Sequence, residues 1–389
     1  MALPRVAVAL GLVSLFTDMS SEMVYPLLPR LLTGLGAATW WLGAVEGVGD
    51  ATAAVLKLVS GQLSDRVQRR KPLALAGYTL SNAVRPLVAL AVLPWHVVAV
   101  RFTDRVGKGL RSSPRDALLA ASVPSRQAAA VFGFHRAMDN LGATLGPLVV
   151  WVGLRATGND VQRVLMASLV PGAIAVLTLG LVVREPEDIA PASIVSPSRP
   201  PPSLAANAPA ALRSYLLILG VFSIANTSDL FLLRRLGELG ATSDRVALLW
   251  AALSGIRALG GYPGGLLADR IGRARSLMLG WLVYALAYLA MASATTFVGF
   301  LPGFLLYGLF YGLTEGAERA IVAQLAPRDV LGASFGRFHL ATGLAMLPSN
   351  IAFGLAWDRW GAATCLATSA LGALGVLALL GLWTRRYAT

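Results

Sequence analysis

Two short stretches decide the fold of this chain: Gly61-Gln-Leu-Ser-Asp65-Arg66 and Gly265-Leu-Leu-Ala-Asp269-Arg270. Each ends an apolar run and leads into a basic loop, Arg69-Arg70-Lys71 in the first half and Gly272-Arg273-Ala-Arg275 in the second. The echo reaches further. Ala130-Val-Phe-Gly-Phe-His135 returns as Ala333-Ser-Phe-Gly-Arg-Phe338, Arg30 is matched by Arg234, and Pro124 by Pro327. Such a chain is built from two related halves, and parallel repeats of this kind hold a binding site near the bilayer midplane between them.

The solvent of those halves follows from composition. Of 389 residues, 56% are apolar and 14% charged, and the mean hydropathy is +0.65. Soluble domains carry roughly 25% charged residues, so the apolar surface here is matched to a bilayer. Runs of spanning length occur near 6–32, 40–62, 72–93, 95–121, 127–152 and 163–183, and again near 214–236, 245–267, 276–298, 299–325, 331–357 and 361–383. At about 20 residues each, twelve spans use roughly 240 residues. The polar stretch 184–213, with Pro-Ser-Arg-Pro-Pro-Pro inside it, has the composition of a flexible linker. The expected fold is an all-α membrane protein of twelve transmembrane helices. They form two pseudo-symmetric six-helix bundles, 1–183 and 214–389, joined by the 184–213 linker.

The net charge of +13 does not indicate nucleic acid, because the basic residues flank span ends on one side. Arg66, Arg69, Arg70, Lys71, Arg126, Arg184, Arg270, Arg273, Arg275, Arg328, Arg385 and Arg386 share that side, while the loops near 34–39, 94–96 and 293–298 carry none. By the positive-inside rule both termini and the linker lie in the cytoplasm and the chain sits in the inner membrane. A single cysteine, Cys365, permits no intrachain disulfide. The apolar run after Arg5 continues to Leu32, which reads as an uncleaved first span rather than a signal peptide.

The repeated loop resembles the signature of the major facilitator superfamily, Gly-x-Leu-Ala-Asp-Arg-x-Gly-Arg-Arg between helices 2 and 3. The second copy, Gly265 to Arg273 with Gly272 in place, fits that pattern, whereas Gln68 replaces the second glycine of the first copy. Physically, the glycine lets two helices approach, and Asp65 with Arg66 and Arg69, or Asp269 with Arg270 and Arg273, can form a charge-paired cytoplasmic latch. Phe16-Thr-Asp18-Met-Ser-Ser-Glu22-Met-Val-Tyr-Pro26, Asp104-Arg-Val-Gly-Lys108-Gly-Leu-Arg111-Ser-Ser-Pro-Arg115-Asp116 and Gly133-Phe-His135-Arg136-Ala-Met-Asp139-Asn-Leu-Gly142-Ala-Thr-Leu-Gly146-Pro147 are similar to a prokaryotic permease subgroup with mostly unassigned substrates. The resemblance implies that helices 1, 4, 7 and 10 line a central cavity. Gly142-x-x-x-Gly146-Pro147 resembles an element associated with exporters: the glycines allow close helix approach and the proline a bend. Asp116, at the end of the same charged segment, joins these residues in the expected gating set.

In the fourth span Arg101, Asp104, Arg105, Lys108, Arg111 and Arg115 recur every three or four residues and share one helical face. Each charge inside hydrocarbon costs about 2.5–3.5 kcal/mol on insertion scales, so the face must meet a polar cavity or acidic partners. Candidate partners are Asp18 and Glu22 on the first span, Glu46 and Asp50 on the second, and His135, Arg136, Asp139 and Asn140 on the fifth. The second half is poorer, offering Asp229, Arg257, Glu315, Glu318, Arg319 and His339. These charges either lock helices together or carry substrate and protons.

Enzymatic readings lack support. Gly107-Lys108-Gly109 has neither the glycine spacing nor the following Ser or Thr of a P-loop, and the three histidines are scattered. No cofactor or metal is expected. The expectation is a monomeric proton-coupled carrier of a small organic or amphipathic solute, working by alternating access in the direction of export. Import of an anionic solute or metal chelate is the alternative, and a membrane-embedded enzyme or lipid-handling protein the rival of another class.

Overall fold

The computed structural model describes residues 4–66, 70–121, 128–183, 209–326 and 331–387, and every regular element among them is helical. Twelve spans follow in order: α1 (Arg5–Gly34), α2 (Trp40–Arg66), α3 (Arg70–Leu90), α4 (Pro94–Ala121), α5 (Ala128–Ala156) and α6 (Val161–Leu181). The second half gives α7 (Ala210–Glu238), α8 (Ser243–Ile271), α9 (Arg273–Ser293), α10 (Phe297–Leu325), α11 (331–360) and α12 (361–387). The last two form one continuous helical run broken at Gly361, whose φ of 80° only glycine adopts without strain. α7 starts at Ala210, inside the stretch assigned to the linker. Ala210, Ala211 and Leu212 favour helix, and the rest of that stretch up to residue 208 lies outside the described residues.

Among the described residues eight stretches are long and apolar enough to cross a membrane, the last of them holding both α11 and α12. The spans outside that set are α2, α4 and α8, and they carry Glu46 and Asp50, the basic face of α4, and Arg257. Charge density marks the helices with chemistry to do.

Proline and polar residues interrupt several spans. α1 tightens to a 3-10 turn at Tyr25–Leu27, and α3 ends in another at Arg85–Leu90, each with proline in its first turn. α7 breaks at Asn226, where the backbone is extended (φ −87°, ψ 99°), and restarts behind Ser228, whose hydroxyl accepts the Leu230 N–H.

The chain divides into two compact units. One comprises Met1–Ala37, Val48–Arg199 and Ser243–Ala251, the other Ala38–Gly47, Pro200–Thr242 and Ala252–Thr389. In the first unit, glycines bring backbones together. A Cβ on Gly142 would lie 2.3 Å from the Leu15 carbonyl oxygen and one on Gly146 2.6 Å from that of Met19, so α5 rides directly on α1. Gly77 and Gly107 oppose each other likewise between α3 and α4: a Cβ on either would lie within 2.7 Å of the other's carbonyl oxygen. In the second unit Gly43 sits on the Asn350 carbonyl, and the Asp358 carboxylate accepts the Thr39 N–H at 2.8 Å at the start of α2.

Candidate functional site

The close approach of α3 to α4 lets Arg85 reach Asp104. Its Nε donates to Asp104 Oδ1 at 2.7 Å, and both side chains are only 4% exposed. The other guanidinium nitrogens donate to the Thr17 carbonyl (2.8 Å), Asn82 Oδ1 (2.9 Å) and, at 3.5 Å, Ser81 Oγ. Ser81 donates to Asp104 Oδ1 at 2.7 Å, and Arg101 lies 3.7 Å from the other carboxylate oxygen. Asp104 is thus held from three sides. Arg85, Ser81 and Asn82 escaped the sequence reading, although a lone arginine in an apolar span is itself a signal of a buried partner.

The rest of the basic face has varied surroundings. Arg101 stands over the Tyr25 ring at 5.6 Å, and Tyr25 stacks on Trp250 at 5.0 Å. The Trp250 indole donates to Glu22 at 2.7 Å, so Glu22, Trp250, Tyr25 and Arg101 form one continuous chain within the first unit. Arg105 packs beside Gly49, and its buried Nε has no hydrogen-bond acceptor among the described residues. Arg111 is buried over Tyr78 at 4.4 Å. Lys108 is half-buried on the same face; Glu46 is buried and Asp50 half-buried one turn apart on α2. Arg115 pairs with half-exposed Asp116 at 2.8 Å.

On α5, Asp139 accepts a very short hydrogen bond from Ser14 of α1. His135 Nδ1 lies 3.6 Å from Asp139, and exposed Arg136 3.9 Å away. Asn140 gives its carbonyl to Thr144. Asp18 differs from these acids. Its charged surroundings are Asp139, Lys108, Arg111 and Arg85, yet its carboxylate makes no hydrogen bond or ion pair among the described residues.

The gating residues are only partly visible. Gly61, Asp65 and Arg66 fall in the last turns of α2, where only the backbone is described, and Arg69 lies outside the described residues. In the second copy Gly265, Asp269 and Arg270 close α8. Gly272 takes φ 94° between α8 and α9, a turn that needs glycine, and Arg273 donates to the Ala320 carbonyl and Gln324 of α10.

The second half is richer than its charge count suggested. At the break in α7, Asp229 receives Arg257 of α8 at 2.8 Å, the Tyr307 hydroxyl at 2.7 Å and the Tyr311 hydroxyl at 3.2 Å. The Arg257 guanidinium lies flat over Tyr311 at 3.7 Å. Behind this, Tyr284, Tyr288, Phe310, Phe222 and Trp281 stack in a continuous aromatic wall. Tyr307 and Tyr311 escaped the reading because tyrosine in a span counts as apolar or interfacial. Their four-residue spacing on a span of the half that also carries Asp229 was the available signal.

A membrane-embedded cluster of paired charges and tyrosines, on a twice-repeated six-span plan, now meets its relatives. The Major Facilitator Superfamily model matches residues 10–347. The chain belongs to the major facilitator superfamily. This permease is 30% identical over 380 residues to a protein of Methanocaldococcus jannaschii named an uncharacterized MFS-type transporter, covering 95% of this chain and 93% of that one. It is 32% identical over 368 residues to an uncharacterized protein of Mycobacterium tuberculosis, covering 91% and 87%. Its fold matches the inward-facing, occupied crystal structure of a bacterial homolog of the human lysosomal transporter Spinster, with TM-score 0.81 at 13% identity, over 100% and 98% of the two chains. The protein is a multi-pass membrane transporter rather than an enzyme, and the fold is that of carriers that move small molecules by alternating access.

Proposed function

We propose that this permease is a proton-coupled exporter of a small organic or amphipathic solute, with Asp18 as the proton carrier. The observation that carries the reading is the contrast between Asp18 and its neighbours. Asp104 is clamped by Arg85, Ser81 and Arg101, and Asp139 by Ser14, whereas the Asp18 carboxylate is unbonded among the described residues and faces bases on α3 and α4. A clamped carboxylate cannot trade its partners for a proton without breaking the helix packing. An unclamped one can take a proton from water in one state and return it in the other, shifting the balance between states. Glu22, which accepts the Trp250 indole N–H, is the second candidate. Glu46, Asp50 and the α4 bases Arg105, Lys108 and Arg111 complete the substrate and coupling region in this reading.

Export draws support from Gly142-x-x-x-Gly146-Pro147, whose glycines seat α5 on α1 and make a joint between helices. Import of an anionic solute or metal chelate is the second reading, favoured by the row of bases on α4 that would meet a carboxylate or phosphate. Under both, the protein works as a monomer in the inner membrane, with bundles 1–183 and 214–389 and with the linker and both termini in the cytoplasm, as the loop charges favour. The latch residues Asp65, Arg66, Arg69, Asp269, Arg270 and Arg273 then gate the cytoplasmic mouth.

The test needs no known substrate at first. Infrared difference spectra of the reconstituted protein between acid and neutral pH should contain a protonated-carboxyl band that Asp18→Asn removes, with thermal stability retained. A solute found by thermal-shift screening then serves in proteoliposomes: Asp18→Asn should abolish accumulation driven by a pH gradient and spare downhill exchange. An unchanged carboxyl band, or loss of stability without uncoupling, defeats the assignment. Accumulation into inside-out vesicles supports export; accumulation into right-side-out vesicles supports import.

A further inference from the structure

At the end of the second unit that carries Arg273 lies a cavity of about 580 Å³, formed by the end of α8, the start of α9, the end of α10 and the end of α12. We propose that it binds the phosphate headgroup of an anionic phospholipid. The inference does not depend on the coupling assignment above.

Three features converge on this chemistry. The first is charge. Arg273, Arg275 and Arg385 line the cavity against one carboxylate, Asp269. Arg273 is anchored on α10, by Ala320 and Gln324. Arg275 and Arg385 are exposed and make no ion pair or hydrogen bond among the described residues, so their guanidinium groups are available to a phosphate, which they match in geometry. The second is the helix end. α9 begins at the cavity behind Gly272, with no side-chain cap and no acidic residue in its first turn, so its positive dipole end favours an anion there.

The third feature separates lipid from free phosphate. Part of the remaining wall is apolar, with Ile271, Met278, Ile321 and Leu325 beside Gln324 and Thr384. Buried Trp383 and half-buried Tyr387 also line it, their rings 5.8 Å apart, and the Trp383 indole donates to the Ser214 hydroxyl at 3.0 Å. Tryptophan and tyrosine beside arginine at a span end mark the level of the headgroups. A free anion needs no apolar wall, whereas a phospholipid lays its glycerol and first methylenes against one. Basic pockets between spans on the cytoplasmic side suit such headgroups.

Native mass spectrometry of the full-length protein, titrated with phosphatidylglycerol, phosphatidylcholine or inorganic phosphate, tests this. Phosphatidylglycerol should bind more tightly than phosphatidylcholine, and its binding should weaken as ionic strength rises. The double variant Arg275→Gln/Arg385→Gln should lower apparent phosphatidylglycerol affinity roughly tenfold or more, leaving phosphatidylcholine binding unchanged. Arg275→Lys/Arg385→Lys, which keeps the charge, should retain most of it and serves if the glutamine pair fails to fold. Equal phosphatidylglycerol binding by wild type and the glutamine variant overturns the proposal, as does salt-insensitive binding. Displacement of phosphatidylglycerol by millimolar-range inorganic phosphate would reassign the cavity to a free anion.

Discussion

Among the described residues each half holds an arginine–carboxylate pair within its spans, Arg85–Asp104 buried and Arg257–Asp229 half-buried, and the two are built differently. Arg85 and Asp104 are enclosed by further protein partners: the Thr17 carbonyl, Asn82, Ser81 and Arg101 supply the remaining contacts from α1, α3 and α4. Asp229 and Arg257 are instead solvated by tyrosine, with two hydroxyls on the acid and a ring face against the base. The first pair ties three helices together through backbone and rigid short side chains. The second sits at the break of α7, and its tyrosines both come from α10. Desolvated charges demand compensation wherever they are buried, but compensation by main chain fixes a helix arrangement, while compensation by hydroxyls can be exchanged for other hydrogen-bonding groups. The first pair suits a structural clasp, the second a surface that rearranges around a guest.

The widest separation between the two pairs should come from removing the arginines. Arg85→Ala leaves the Asp104 carboxylate buried with only more distant bases, the nearest being Arg101 at 3.7 Å. It should destabilise the protein by about 3–5 kcal/mol, read as a large drop in melting temperature and in folded yield. Arg257→Ala should be milder, because two tyrosine hydroxyls still serve Asp229. Equal losses in thermal melts of the two variants would erase the distinction.

A smaller effect sharpens the picture of the second pair. Tyr307→Phe removes the 2.7 Å hydrogen bond to Asp229 and should cost about 1–2 kcal/mol, the scale of hydrogen bonds between membrane helices. Tyr311→Phe keeps the ring under Arg257 and should cost less, since its hydroxyl lies 3.2 Å or more from the carboxylate. A reversed order in melting temperature would mean that the hydroxyl geometry at Asp229 is not what holds the pair. The smallest effect is expected at Arg136→Ala. Its side chain is 54% exposed and 3.9 Å from Asp139, so solvent screens the pair and the loss should stay below about 1 kcal/mol. A larger loss would show that Asp139 depends on more than Ser14.

Much of the transporter was legible in its sequence because the bilayer imposes one-dimensional rules. Span length, one-sided basic loops and the repeated Gly-x-Leu-x-Asp-Arg stretch need only composition and order to be read, and eleven helical spans would not have matched the repeat. The helical fold and the family followed from them. Charged residues inside apolar runs were equally visible, which is why Asp18, Glu22, Asp104 and Asp139 entered the candidate set before any contact was known. Partnership was not visible. Nothing in the order of residues says that Arg85 of α3 holds an acid of α4, that Ser14 takes Asp139, or that Trp250 of α8 reaches Glu22 of α1. Those pairings depend on which helix faces meet, and that is set by where glycines such as Gly77, Gly107, Gly142 and Gly146 let backbones touch. The tyrosine setting of Asp229 was hidden for a related reason: a hydroxyl on an aromatic ring reads as apolar along the chain, and becomes a hydrogen-bond donor to a buried acid only when tertiary packing brings the two together.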